Sequence, residues 1–221
     1  MEPQEIIQYL LMIPAALLSL AVHEFSHGYI ASRLGDPTAR SLGRLTLDPF
    51  KHLDPIGTLC MVLFRFGWAK PVPINPRYFK DPRKGMALTA AAGPISSFFL
   101  AFLAAILYRL TLLSMSAALG AWPHVAVSYF FLYLAQFFLL LHYLNLSLCI
   151  FNLIPLPPLD GSRIFYVFLP PKWYFGVMKH ERTIQLVLLI ALWLGAFSGL
   201  LNRIVGWLSS LIFSLLALLP F

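Results

Sequence analysis

The sequence predicts an all-α polytopic membrane protein with about five transmembrane helices and a short membrane-associated β-hairpin between the first two. Three observations predict it. Of 221 residues, 59% are hydrophobic and only 11% are charged, whereas soluble domains run near half apolar and a quarter charged. The charges fall in a few gaps between apolar stretches long enough to cross a hydrocarbon core of about 30 Å, which takes about 20 helical residues. Between the first two stretches lies an extended, proline-rich run that is neither apolar nor regular enough to be another span.

The first span covers 6–34. It opens with Glu2 and Glu5 rather than with basic residues, so it does not read as a cleavable signal. The second covers 85–110 and the third 125–154. The tail from Thr183 to Leu219 is too long for one crossing, and Gly195, Gly199, Asn202 and Arg203 mark a turn that divides it into spans 183–199 and 203–219. Loops this short make the chain, 1–221, a single domain.

Basic residues set the expected direction. Ten of the sixteen fall within 33–84 and four within 155–182, leaving only Arg109 and Arg203 elsewhere. Both rich loops belong in the cytoplasm by the positive-inside rule. The N-terminus is then outside, and an odd number of spans puts the C-terminus inside. The net charge of +7 is thereby explained without nucleic acid, which would need a basic folded surface. Cys60 and Cys149 stand alone in apolar runs, so neither a disulfide framework nor a thiolate metal site is indicated.

The hairpin region is 56–78. An apolar stretch, 56–64, is too short to span, and it leads into Phe66-Gly67-Trp68-Ala69-Lys70-Pro71-Val72-Pro73-Ile74. Pro71, Pro73 and Pro76 forbid a helix there. A strand or hairpin dipping into the inner leaflet is one reading, and an irregular surface loop is the other.

The first span contains His23-Glu24-Phe25-Ser26-His27. Residues four apart stack on one helix face, so both imidazoles can reach one cation. Glu24 lies about 100° around the helix, near enough to hold a water without being a ligand. Each ionisable group at mid-membrane costs about 2.5–3.5 kcal/mol, and a bound zinc ion, worth roughly 10–16 kcal/mol in small structural sites, offsets that cost. His23 lies about 25 Å along a helix that starts outside, which places it near the cytoplasmic face.

Two histidines leave a catalytic zinc one protein ligand short. The third span ends in Asn152-Leu153-Ile154-Pro155-Leu156-Pro157-Pro158-Leu159-Asp160-Gly161, and Asp160 is the only carboxylate between Asp81 and Glu181. It is the candidate third ligand. Its competing role is to cap a short helix starting near Ser162. His52, His124 and His180 sit in or near loops and read as solvated. His142, one turn before Asn145, reads as an interhelical hydrogen-bonding group.

These motifs resemble the site-2 protease family of intramembrane zinc metallopeptidases. That family pairs His-Glu-x-x-His in one span with Asn-x-x-Pro-x-x-x-x-Asp-Gly in a later one, here Asn152, Pro155, Asp160 and Gly161. The run 66–73 is similar to the membrane-associated hairpin of its compact prokaryotic members, and Ala92-Gly93-Pro94 also matches. The resemblance implies one zinc ion per chain, held by His23, His27 and Asp160, with Glu24 as general base. It implies a substrate that is a transmembrane helix of another protein, often already trimmed by an earlier protease. Asn152, Gly67 and Trp68 become candidate substrate or oxyanion contacts. One position departs: where the family often has Asn, this chain has Ser97. The sequence therefore assigns Ser97 no polar role, and Gly93-Pro94 reads as close packing and a kink.

Two other classes compete. A metal-ion transporter could use the same ligands, but transporters usually show internal repeats or several broken helices, and transport needs no base at Glu24. A non-catalytic membrane scaffold would have no use for Glu24 either.

Overall fold

The computed structural model describes residues 3–64, 69–121, 124–170, 176 and 179–219. Eight α-helices are numbered here in chain order: α1 Pro3–Arg33, α2 Thr38–Ser41, α3 Pro55–Phe64, α4 Pro82–Ala121, α5 Val125–Asn152, α6 Asp160–Tyr166, α7 Glu181–Trp193 and α8 Ser198–Ala217. Short 3₁₀ turns at Pro49–His52 and Pro76–Tyr78 punctuate the long connection between α1 and α4.

Helices α1, α4 and α5 pack against one another, with α6 against α4 and α8 against α4 and α5. Alanines make these approaches close. Ala101 and Ala105 of α4 meet Leu146 of α5 and Val205, Ile212 and Leu216 of α8, all buried. Ala104 of α4 meets Ala15 of α1 and Leu141 of α5. Small side chains at such contacts let helix backbones approach where lipid offers no hydrophobic push.

Four helical stretches, rather than five, are long and apolar enough to cross a membrane among the described residues: Gln4–Arg33, Pro82–Gly120, Val125–Asn152 and Ser198–Ala217. The expected fourth span over 183–199 is instead α7, of 13 residues, about 20 Å long at 1.5 Å per residue. It stops where the chain turns at Gly195, with φ of 74°.

The region between α1 and α4 also differs from expectation. Its apolar stretch is helical, α3, with Pro55 at the first position, where its missing N–H costs nothing. Asp54 caps it by accepting from the Gly57 N–H at 2.8 Å. No β-ladder forms among the described residues; one isolated antiparallel bridge joins Leu53 and Ala69. Residues 65–68, including the candidates Gly67 and Trp68, lie outside the described residues. The segment 69–75 is extended without a partner strand, because Pro71 and Pro73 withhold the N–H groups a ladder needs.

Candidate metal centre

Helix periodicity brings Leu20, His23, Glu24 and His27 onto one face of α1, and all four line a cavity of about 720 Å³. Both imidazoles and Glu24 are buried. The chain then travels through three further helices before α5 ends at Asn152. A run of turns follows, in which Ile154 N–H bonds to Phe151 O and Leu159 N–H to Leu156 O. The prolines there make continuation of the helix impossible, and α6 starts back toward the α1 histidines. Gly161 is required at this reversal: a Cβ there would stand 2.4 Å from Leu153 O and 2.5 Å from Ile154 O.

Asp160 is the first residue of α6, whose N-cap position is taken by Leu159. Its Oδ2 lies 3.2 Å from His23 Nε2 and 3.2 Å from His27 Nε2. The three ligand atoms all lie within 4.8 Å of one another. Two neutral imidazole nitrogens and one carboxylate oxygen make a donor set that suits zinc, with a fourth position left for water or substrate.

The far side of each imidazole is fixed. His27 Nδ1–H donates to Thr89 O at 2.8 Å; a carbonyl can only accept, so Nε2 keeps its lone pair for the cluster. His23 Nδ1 lies 3.0 Å from Ser97 Oγ, and Ser97 is fully buried. Partners of this kind orient metal-binding imidazoles and select their tautomer. Ser97 thus has a polar contact that its departure from the family pattern concealed.

Gly93 also has more than a packing role. A Cβ there would stand 2.5 Å from His27 Nε2 and 2.6 Å from His23 Cε1. Only a glycine lets α4 press its backbone against both rings.

Glu24 Oε2 accepts the Val72 N–H at 2.9 Å, so the extended segment closes over the α1 histidines' neighbour. Lys70 N–H bonds to His52 O at 2.9 Å, Arg44 donates to Lys70 O at 2.8 Å, and Asn75 N–H bonds to Asp36 Oδ2 at 2.7 Å. Asp36 is fully buried and anchors this segment to the end of α1. The Gly-Asp-Pro-Thr run at 35–38 was the available signal, since Asp before Pro-Thr commonly turns back on its own backbone. His52 is not solvated: it is buried, and its Nε2–H donates to Thr46 O at 2.8 Å. Asn152 lines the cavity, with one amide N–H donated to Leu148 O at 3.0 Å.

The sequence pattern of peptidase family M50 matches residues 11–198. YwhC of Bacillus subtilis (strain 168) is 43% identical over 169 residues, 76% of this chain and 73% of that protein. Rip2 of Mycobacterium tuberculosis (strain ATCC 25618 / H37Rv) is 27% identical over 209 residues, 92% of this chain and 74% of that protein. Each bears the name "Putative zinc metalloprotease". No solved structure matches the chain.

Proposed function

The chain belongs to peptidase family M50, and from that premise we propose that it is a zinc-dependent endopeptidase that cuts transmembrane segments of other proteins within the bilayer. The observation that carries this is the convergence of His23, His27 and Asp160, from residues 137 positions apart, onto one small volume inside an apolar helix bundle. His23, His27 and Asp160 would hold the ion. A zinc ion bound there would supply Lewis acidity, lowering the pKa of a water and polarising the scissile carbonyl.

The chain's own groups do the rest. Thr89 O and Ser97 Oγ hold the two imidazoles in the orientation that presents Nε2. Val72 N–H holds one oxygen of Glu24, which leaves the other to act as general base. Glu24 takes a proton from the attacking water as the C–O bond forms, then gives it to the departing amine as the C–N bond breaks. Asn152 retains one amide N–H for substrate or oxyanion.

We place the loops 33–84 and 155–182 on the cytoplasmic side, because they hold fourteen of the sixteen basic residues. The substrate helix must open locally before its peptide bond is reachable, and the segment 69–75 is positioned to meet it. By likeness to the site-2 protease family, the substrate arrives trimmed by an earlier cut.

The test is Glu24→Gln in reconstituted protein. Zinc content should stay at one ion per chain, while cleavage of a reconstituted membrane substrate falls by at least 10²–10⁴-fold, the usual contribution of a general base. Cleavage at the wild-type rate would defeat the assignment.

A further inference from the structure

The cavity that holds the metal cluster is also lined by the C-terminal helices, and their polar members have no place in the mechanism above. On α7, Gln185, Leu188, Leu189 and Leu192 all face it, the spacing of one helix face. On α8, Ser198, Leu201 and Asn202 do the same. Gln185 is the one polar side chain of α7 beyond its first turn. Neither the Gln185 nor the Asn202 amide has a hydrogen-bond partner among the described residues. Both side chains are exposed and line the cavity, so each amide presents an NH₂ and a carbonyl to whatever enters it.

The chemistry of that ligand follows from two facts. A helix opened inside a membrane exposes N–H and C=O groups that have no water to turn to, at several kcal/mol each. The extended segment near the site is poor in donors: Pro71 and Pro73 have no N–H, and those of Lys70, Val72 and Asn75 are already bonded to His52 O, Glu24 and Asp36. Among the described residues this leaves the Ala69 and Ile74 N–H groups and one of Asn152 for the carbonyls of an opened main chain, so donors from another wall of the cavity add to a short supply. Gln and Asn amides carry both a carbonyl and an NH₂, the same pair of groups as a peptide bond, and can serve both halves.

Resting on the function proposed above, we propose that Gln185 and Asn202 form a main-chain binding subsite, which holds the unwound backbone of the substrate while its scissile bond sits at the metal cluster. Recognition of this kind is independent of side-chain sequence. Substrates are then selected by how readily their helix opens and how well the opened stretch fits, not by a residue motif.

Two hydroxamates separate this inference from its premise. Acetohydroxamate binds a zinc ion and little else; a tripeptidyl hydroxamate adds an extended main chain. Their dissociation constants are measured by calorimetry on the zinc-loaded protein in nanodiscs, for wild type, Gln185→Leu, Asn202→Leu and the double variant. Leucine suits an apolar helix, and thermal melting checks that each variant is folded. The wild type should bind the tripeptidyl compound far more tightly. Each substitution should erode that advantage about tenfold, the equivalent of one hydrogen bond, and the pair about a hundredfold. Asn202→Gln, which keeps the amide, should recover part of it. If neither hydroxamate binds the wild type, the metal-site reading itself fails. If both bind but the double variant keeps the wild-type ratio, or the wild type shows no preference, the subsite is refuted and the protease reading stands.

Discussion

Two buried polar clusters sit in the same bundle, and they are built from the same residue types to opposite ends. In one, His23 and His27 turn their Nε2 atoms toward each other's space and toward a carboxylate. In the other, both nitrogens of His142 are used up: Nδ1–H donates to Ala101 O at 2.9 Å, and Nε2 accepts from Ser209 Oγ at 3.0 Å. Nearby, Asn145 donates to Ser19 Oγ at 2.8 Å and to Leu141 O at 2.8 Å. The second cluster ties α5 to α1, α4 and α8. A buried histidine with one nitrogen anchored and the other facing a cavity is built to receive something; one with both nitrogens spent joins helices.

Four substitutions break or sharpen that contrast. His27→Ala, the harshest, should abolish stoichiometric zinc, read by mass spectrometry of the dialysed protein, and with it all measurable cleavage, because two donors do not retain a catalytic ion. Gly93→Ala should come next. Its Cβ would press into both imidazoles, and zinc affinity against a chelator should drop by well over tenfold. Ser97→Ala removes one orienting contact and should weaken zinc by about 10–100-fold, the usual cost of losing a partner behind a ligand, with Ser97→Thr retaining most of it. His142→Leu should be the mildest. Zinc content and turnover should stay within about twofold of wild type, while unfolding in detergent registers a loss of about 1–2 kcal/mol, typical of interhelical hydrogen bonds in membranes. A His142→Leu protein devoid of zinc would erase the distinction between the clusters.

Much of the first cluster was legible in the sequence. The four-residue spacing of His23 and His27 is a local property of a helix, and the surrounding apolar run makes charge there expensive enough to demand a reason. Asp160 stood out as the one carboxylate in a long interval. The second cluster was half legible: His142 reads as a helix-joining group, but nothing local names Ala101 and Ser209 as its partners. Ser97 was misjudged because a likeness to relatives rewards an identical residue, whereas a hydroxyl at that place makes the contact anyway. Within the region 56–78, the stretch 56–64 is helical: a short apolar run has no intrinsic strand or helix signature, and Pro55 at its head with Asp54 before it favoured the helix.

By itself, the sequence determined that this chain belongs in lipid, where most of its helices run, and which side chains share the cavity-lining face of α1. Those are short-range consequences of hydropathy and of a 3.6-residue repeat. Only the tertiary structure decided which of the described helices are long enough to cross, that Asp160 reaches the imidazoles, and that Thr89, Gly93, Ser97 and Val72 surround them. Contacts between residues 48 to 137 positions apart depend on how helices dock. Docking is set by the summed fit of many small side chains, which no local pattern encodes.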